Sequence, residues 1–224
     1  RVIRGRFYGP SYAFEQTAER ALAAGEAPRL EVRNAFGGVK VTPGAPGVVK
    51  VKLRKVVFLP TEEKARAFAD RIELRLSGDG ARVEVGTNRE DIGRGDDVGF
   101  ETHLEIEAPA ETAVEVRGEH GRVDVTGVAS ADVVSSFDGV AIERVAGAVK
   151  LEAGHGEVRV SAIGGRLELV SRHGNVEVSE VQGAAKLDVE HGDLSVRQTG
   201  ALDVGIQHGG LTVESVAGDL AVRG

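Results

Sequence analysis

Residues 140–157 read VAIERVAGAVKLEAGHGE, and the same pattern returns as VRVSAIGGRLELVSRHGN and VEVSEVQGAAKLDVEHGD over residues 158–193. Each segment opens with two apolar residues at alternate positions. Such pairs recur along the chain in steps of 17, 18, 18, 18 and 17 residues: Val123/Val125, Val140/Ile142, Val158/Val160, Val176/Val178, Leu194/Val196 and Leu211/Val213. A fixed period of this length indicates a repeat architecture, in which each unit buries its apolar face against the next.

A second alternating pair keeps the same register, as in Val149/Leu151 and Leu167/Leu169. A third apolar column follows the first pair at Val128, Val145, Ile163, Val181 and Val216, with Thr199 in the same place. Period-two alternation predicts strands rather than helices. The sequence therefore predicts a mainly β fold, a flattened β-solenoid of about seven rungs over residues 111–224 with a length of roughly 30 Å.

The first half of the chain has a different composition. All six prolines lie at or before Pro109, and residues 1–109 carry 18 basic and 17 acidic groups, against 10 and 18 in residues 110–224. Phe36-Gly37-Gly38-Val39-Lys40-Val41 nevertheless matches Phe137–Ile142 position for position. We therefore divide the chain into an N-terminal arm or linker (1–28), a β-rich region (29–110) and the solenoid repeats (111–224), the last two sharing one core.

One helix is predicted near residues 61–72. Thr61 can cap it, and Ala65, Phe68, Ala69 and Ile72 fall on one face, which we expect to cover the first rungs. Strands are predicted at 73–76, 82–85 and 100–108. Residues 11–24 are compatible with a helix or with an entering strand.

Composition excludes several classes of protein. The chain has no cysteine, which removes disulfides, thiolate metal sites and cysteine nucleophiles. The net charge of −7 argues against nucleic acid and anionic membranes as partners.

Three Asn, four Gln, no Met and 28% charged residues are typical of a thermophile. The first residue is Arg1 rather than Met, and we expect that a preceding signal or anchor segment was removed.

The order of a β-rich start, one helix near 61–72 and short x-G-x-V-x-V-x-x-V-x-G repeats resembles the bacterial putative-adhesin, or toast-rack, β-strand-repeat family over residues 12–224. The resemblance implies an envelope or surface protein, some members of which accompany envelope-stress regulators. It implies no catalytic residue. The family often turns on Asn-Gly, whereas this chain usually turns on His-Gly.

Five of the six histidines occupy one turn column, which reads His120, Phe137, His155, His173, His191 and His208. The residue after each ring is glycine in every rung but one, where it is Asp138. A tight turn at this position needs a positive φ, which glycine adopts freely and aspartate tolerates. Two interpretations are open. His155, His173 and His191, with Glu157, Glu190 or Asp193, are candidate ligands for a divalent metal. Alternatively, the rings stack as structure, which we favour because Phe36 and Phe137 share the column. We predict no cofactor and no metal.

Other candidate sites are weaker. Arg94-Gly95-Asp96 spells an integrin-type tripeptide, and Glu90, Asp91, Asp96, Asp97 and Glu101 form an acidic cluster without calcium-loop spacing. Outward positions on the first strand of each unit carry a mixture typical of a solvated face rather than of a catalytic cluster: Asp124, Ala141, Arg159, Glu177, Ser195 and Thr212. We predict that the protein is not an enzyme.

The carboxyl-terminal rung is predicted to leave an open strand edge at Leu220 and Val222, with no capping helix or proline after it in this sequence. Either the sequence is cut there, or another chain pairs with the edge. The basic and apolar segment containing Val2, Ile3 and Phe7 is a candidate partner, and a head-to-tail contact of this kind builds filaments. In the other interpretation this segment is a linker.

The sequence thus favours a non-enzymatic, extracytoplasmic structural or adhesive scaffold that self-associates head-to-tail. The alternative is a ligand-binding or sensor module of an envelope-stress system with an envelope or surface partner. A third class, a carbohydrate-active enzyme, is disfavoured by the mixed composition of the outward positions.

Overall fold

The computed structural model describes residues 12–92 and 98–224, which form two ten-stranded sheets and one helix. The first sheet contains, in chain order, β1 (Tyr12–Ala23), β3 (Val39–Pro43), β4 (Val48–Leu59), β7 (Gly99–Ala108), β9 (Val123–Val128), β11 (Val140–Val145), β13 (Val158–Ile163), β15 (Val176–Val181), β17 (Leu194–Thr199) and β19 (Leu211–Val216). The second sheet contains β2 (Arg29–Phe36), β5 (Leu74–Gly78), β6 (Arg82–Thr87), β8 (Ala113–His120), β10 (Ser130–Phe137), β12 (Val149–His155), β14 (Leu167–His173), β16 (Ala185–His191), β18 (Leu202–His208) and β20 (Leu220–Arg223). The helix is α1 (Glu62–Asp70).

From β8 onward the chain alternates between the two sheets, and each strand pairs in parallel with the strand one repeat away. Val140 lies opposite Val158, and Val158 lies opposite Val176. Six two-strand turns run from Ala113 to Val216, and β20 begins a seventh. The predicted flattened β-solenoid is confirmed, because every backbone edge within the stack is paired by its neighbour.

The core lies between the sheets and consists of the predicted apolar columns. Val158, Val160 and Ile163 are at most 1% exposed, and so are Leu167 and Leu169 on the opposite sheet. Each of these side chains packs on its equivalents one rung above and below, so one apolar column continues through the stack.

The first sheet also contains a column of residues in the left-handed backbone conformation, one in each turn, which we call the left-handed column. Ile142 and Val145 are three positions apart and both point inward, so strict alternation must break between them. The break is one residue with a positive φ, between 53° and 66°, and it recurs at Gly127, Arg144, Ala162, Glu180, Gln198 and Ser215. The sequence did not predict this column, since only one of its six members is glycine.

The N-terminal region opens the same core with antiparallel strands. β4 pairs with both β1 and β7, and β5 pairs with β6. Helix α1 connects the two sheets at this end, with Thr61 capping it through a bond from the Lys64 amide. Ala65, Phe68 and Ala69 form the buried face of this helix, and the helix predicted near 61–72 is confirmed.

Part of the predicted N-terminal arm belongs to the fold. Residues 12–23 form β1, a strand paired over its whole length with β4 from Tyr12–Leu59 to Ala23–Val48. The arm or linker prediction therefore needs correction for these residues, because the apolar side chains of Phe14 and Leu22 pack against the core. In the parts of the chain that the structure describes, no helix has the length and apolar character needed to cross a membrane.

Candidate functional site

Seven rings stack along one corner of the solenoid, and we call this set the ring ladder: Phe36, His120, Phe137, His155, His173, His191 and His208. Each ring ends, or nearly ends, a strand of the second sheet. Parallel register brings them together, since Phe36 and Phe137 both pair with His120, and His173 pairs with both His155 and His191.

The rings are nearly parallel. Neighbouring centroids lie 4.5–5.1 Å apart, with interplanar angles of 2–16°. This spacing equals the distance between strands, so the backbone ladder imposes it. The faces of the inner rings are covered by their neighbours, and their edges point to solvent.

The glycine column beside the ladder has the predicted backbone. Gly156, Gly174 and Gly192 have φ angles of 112°, 138° and 136°, and Asp138 in the same column has 73°. A Cβ atom on Gly174 would overlap the carbonyl group of Gly156. Glycine is therefore needed at Gly174 both for its backbone angle and for the close approach of successive turns.

Ladder geometry does not suit a shared metal ion. Imidazole nitrogens hold their lone pairs in the ring plane, so stacked rings direct them in parallel rather than toward one point. Zinc–nitrogen bonds are about 2.0–2.1 Å long, whereas His173 lies 4.7 Å from His155 and 4.9 Å from His191, centroid to centroid. Within residues 12–92 and 98–224, no group of three or more His, Asp or Glu side chains is placed to hold a metal ion.

Arg89 closes the N-terminal end of the ladder. Its guanidinium carbon lies 5.0 Å from the centre of the Phe36 ring and 3.7 Å from that of Phe100, and its Nη2 donates to the Phe100 carbonyl oxygen at 2.9 Å. Burial lowers the pKa of Arg89 to about 10, although Glu101 opposes this shift. Sequence reasoning missed Arg89, because nothing in the local pattern after β6 places it between two rings.

Two members of the acidic cluster predicted at residues 90–101 contact different partners and do not converge on one point. Asp91 pairs with Arg75, and the Glu101 carboxylate lies 3.0 Å from Nε2 of His103. Glu90 lies apart from these pairs, in the lining of a trough on the second sheet. Asp96 and Asp97, together with the tripeptide Arg94-Gly95-Asp96, lie outside the described residues.

The outward row predicted to be a solvated face is a line of side chains across the first sheet, from Asp124 to Thr212. Its charged members form ion pairs on an open surface. Asp124 binds Arg122 at 2.8 Å, and Glu177 lies 3.7 Å from Arg159. These pairs stabilise a solvated face, as the mixed composition predicted.

Leu220 and Val222, which are predicted to form an assembly edge, lie in β20. The two side chains are 52% and 51% exposed, whereas Leu202 and Val204, which pair with them one turn earlier, are 1% and 0% exposed. The suggested partner residues Val2, Ile3 and Phe7 lie outside the described residues.

No family model and no curated protein matches the chain. A solved structure of a putative adhesin from Bacteroides fragilis is similar, with 13% identity, a TM-score of 0.38, and coverage of 93% of this chain and 97% of that chain. A putative cell adhesion protein from Clostridium sporogenes has 9% identity and a TM-score of 0.32, covering 92% and 99%. A putative lipid binding protein from Parabacteroides distasonis has 9% identity and a TM-score of 0.30, covering 93% and 97%.

At these identities and TM-scores the likenesses carry no argument about the activity of this chain, and its solenoid architecture rests on its own strand pairing. Solved structures named putative adhesins are thus among the proteins to which this chain is similar.

Proposed function

We propose that this protein is a non-enzymatic, extracytoplasmic structural or adhesive scaffold that assembles head-to-tail through the edge of β20. The observation that carries the proposal is the abrupt exposure of the apolar column at Leu220 and Val222, which is buried at Leu202 and Val204. The resemblance of the repeat to an envelope family supports an extracytoplasmic location.

An added strand would complete this edge in the same way that each turn completes the one before it. It would supply partners for backbone N–H and C=O groups that face away from β18 and would cover the two apolar side chains. Covering about half of a Leu or Val side chain contributes about 1 kcal/mol. Backbone pairing adds to this, so the edge favours an extended segment over a globular surface.

The occupant we propose is the segment before β1 of a second copy. It carries Val2, Ile3 and Phe7 among Arg1, Arg4 and Arg6, while residues 110–224 have 10 basic and 18 acidic groups. Opposite charge favours the encounter. At the N-terminal end α1 packs against β4 and β1, and its exposed face is polar, so we take the extended apolar segment rather than α1 as the partner of the edge.

Light scattering over a concentration series, with negative-stain imaging, tests the assembly. The intact chain should form concentration-dependent oligomers. A Leu220→Glu/Val222→Glu variant and a chain without residues 1–11 should both remain monomeric. Val170→Glu is the matched control, because Val170 is 38% exposed on the outer face of β14 and away from the edge. An intact chain that stays monomeric at high concentration would exclude the assembly.

A second candidate function, a ligand-binding or sensor module, is favoured by a different observation. The outer face of the second sheet has a trough near its N-terminal end, lined by arginine and glutamate side chains. A scaffold made only of flat solvated faces has no need of such a trough.

A further inference from the structure

The trough lies across β5, β6, β2, β8 and β10 and has a volume of about 680 Å³. Register places its central residues in one outward row. Arg75 pairs with Gly86, and Arg33 pairs with Arg117. Since Val32 pairs with Val85, Arg33 and Gly86 follow side by side. Arg75 and Arg33 therefore flank Gly86, and Arg117 lies beyond Arg33 in the same row.

Small residues create the depression. Gly86 has no side chain, and the small residues Ala35 and Ser136 lie on either side of Glu119 in the adjoining row. The trough is open along its length, and its volume falls within the range of small-ligand sites, about 300–1,000 Å³.

Four of the eight charged side chains that line the trough are neutralised by ion pairs: Glu31, Arg75, Glu84 and Arg117. Arg117 binds Asp132 at 2.8 Å and Glu115 at 3.1 Å, and Arg75 pairs with Asp91. Arg82, from the neighbouring row, binds Glu31 at 2.7 Å and Glu84 at 3.1 Å.

Arg33 differs from these arginines. Within the described parts of the chain it forms no hydrogen bond or ion pair, and it lowers the pKa of Glu31 less than Arg82 and Arg29 do. Its exposed side chain lies on the outer face, and Arg117 is its partner on the adjacent strand. Glu90 and Glu119 line the same trough, and within the described chain neither carboxylate has a hydrogen-bond partner.

This combination fits a ligand that carries one carboxylate and many hydroxyls. Guanidinium groups bind a carboxylate through paired N–H donors. Carboxylates such as Glu90 and Glu119 accept hydrogen bonds from hydroxyls, and they repel a polyanion. The side chains of Ser77 and Ser136 add hydroxyl groups that both donate and accept.

We propose that the trough binds a short saccharide bearing a carboxylate, which Arg33 holds with Arg117 beside it. This inference deepens the second candidate function and rests on it, since it names the ligand chemistry of the same trough. Assembly through the edge of β20 does not depend on it.

Calorimetric titration of the full chain with aldotriouronate, a trisaccharide that carries a single carboxylate, tests the proposal. A neutral trisaccharide, inorganic sulfate and a short single-stranded DNA are the comparison probes. We expect saturable binding of aldotriouronate, weakened about tenfold or more by Arg33→Gln, as for the loss of a charge-assisted bidentate contact. Arg166→Gln is the control, because Arg166 is an exposed arginine just before β14 of the same sheet and outside the trough. That variant should bind like the unmodified chain.

Gly86→Phe tests the trough in a second way. The backbone at Gly86 is not left-handed, and a Cβ atom there would meet the Arg33 carbonyl oxygen at an ordinary contact distance of 3.6 Å. The aromatic ring of the variant can therefore fill the trough without backbone strain. We expect binding to be lost while the thermal midpoint and the oligomeric state stay unchanged.

Three results would overturn the proposal: no aldotriouronate binding at millimolar concentration, binding that persists in both variants, or equal affinity for the neutral trisaccharide, for sulfate or for the single-stranded DNA. None of these bears on the scaffold proposal, because the light-scattering experiment measures assembly independently.

Discussion

The guanidinium of Arg89 lies against the face of Phe36, 5.0 Å from the ring centre, so the ring ladder ends on a cation. Arg89 also stacks on Phe100 at 3.7 Å, and Phe100 meets Phe68 of α1 edge-on at 5.3 Å. The corner of the solenoid and its N-terminal helix are therefore joined through one line of aromatic contacts. Stacking contacts of this kind contribute about 0.5–1.5 kcal/mol each.

The first prediction concerns ladder stability. His173→Ala removes two stacking contacts and should lower the free energy of unfolding by about 1–3 kcal/mol. His173→Phe should keep both contacts and leave stability unchanged or raised, because Phe137 already occupies this column. Urea unfolding measures the difference. Equal stability of the two variants would show that the rings do not stabilise the fold.

Metal binding provides a second prediction. Parallel rings at 4.7 and 4.9 Å cannot converge on one ion, so titration with zinc or nickel should show no tight site. Calorimetry on the purified chain is the measurement. Submicromolar binding that disappears in His173→Ala would contradict the structural role of the ladder.

The third prediction concerns Thr199, which replaces Val or Ile in the third apolar column. It is 3% exposed, and its hydroxyl has no hydrogen-bond partner in the described chain. Thr199→Val should raise the free energy of unfolding by about 1 kcal/mol, because an unsatisfied buried hydroxyl is removed without loss of volume. The reverse change one turn earlier, Val181→Thr, should lower it by a similar amount, and a stabilised Val181→Thr would count against this account.

The left-handed column leads to a fourth prediction. Ala162 has a φ of 55°, which costs a residue with a Cβ more than it costs glycine. Ala162→Gly should therefore stabilise the protein by about 0.5 kcal/mol. Ala141→Gly, within regular strand β11, should instead destabilise it by about 0.5–1 kcal/mol. Thermal unfolding separates the two, and the same sign for both would disprove the strain argument.

The fifth prediction is a pH dependence at Glu31. The hydrogen bond from Arg82 at 2.7 Å holds the pKa of Glu31 below its usual 4.5. A carboxylate whose pKa is lowered on folding adds stability that is present above about pH 4.5 and is lost as the pH falls through the folded-state pKa. Glu31→Gln should thus be less stable than the unmodified chain at neutral pH, and the gap should close in acid.

Unfolding curves between neutral pH and about pH 3 check this expectation. Glu168→Gln is the control, because its nearest arginine contact is a long 3.7 Å to Arg166 on an exposed surface. A gap that stays constant down to the lowest pH would show that Glu31 acts through packing and not through its charge.

The repeat predicted the solenoid strand by strand, since the V-x-V pairs at Val158 and Val176 became adjacent rungs. It also predicted the glycine corner and the stacking of Phe36 with the histidines. It did not predict the strand at residues 12–23, because the Ala, Glu and Arg in that segment suit a helix as well as an edge strand. Pairing with β4 decided between them.

Period and alternation carry information about contacts between residues one repeat apart, so the chain's own pattern specified the rungs and the ring ladder. Arg89 between Phe36 and Phe100, and Gly86 between Arg75 and Arg33, join segments with no common period. They meet because β7 inserts between β4 and β3, and because β6 and β5 extend the second sheet beyond β2. The order of strands across a sheet, not their order along the chain, brings those side chains together.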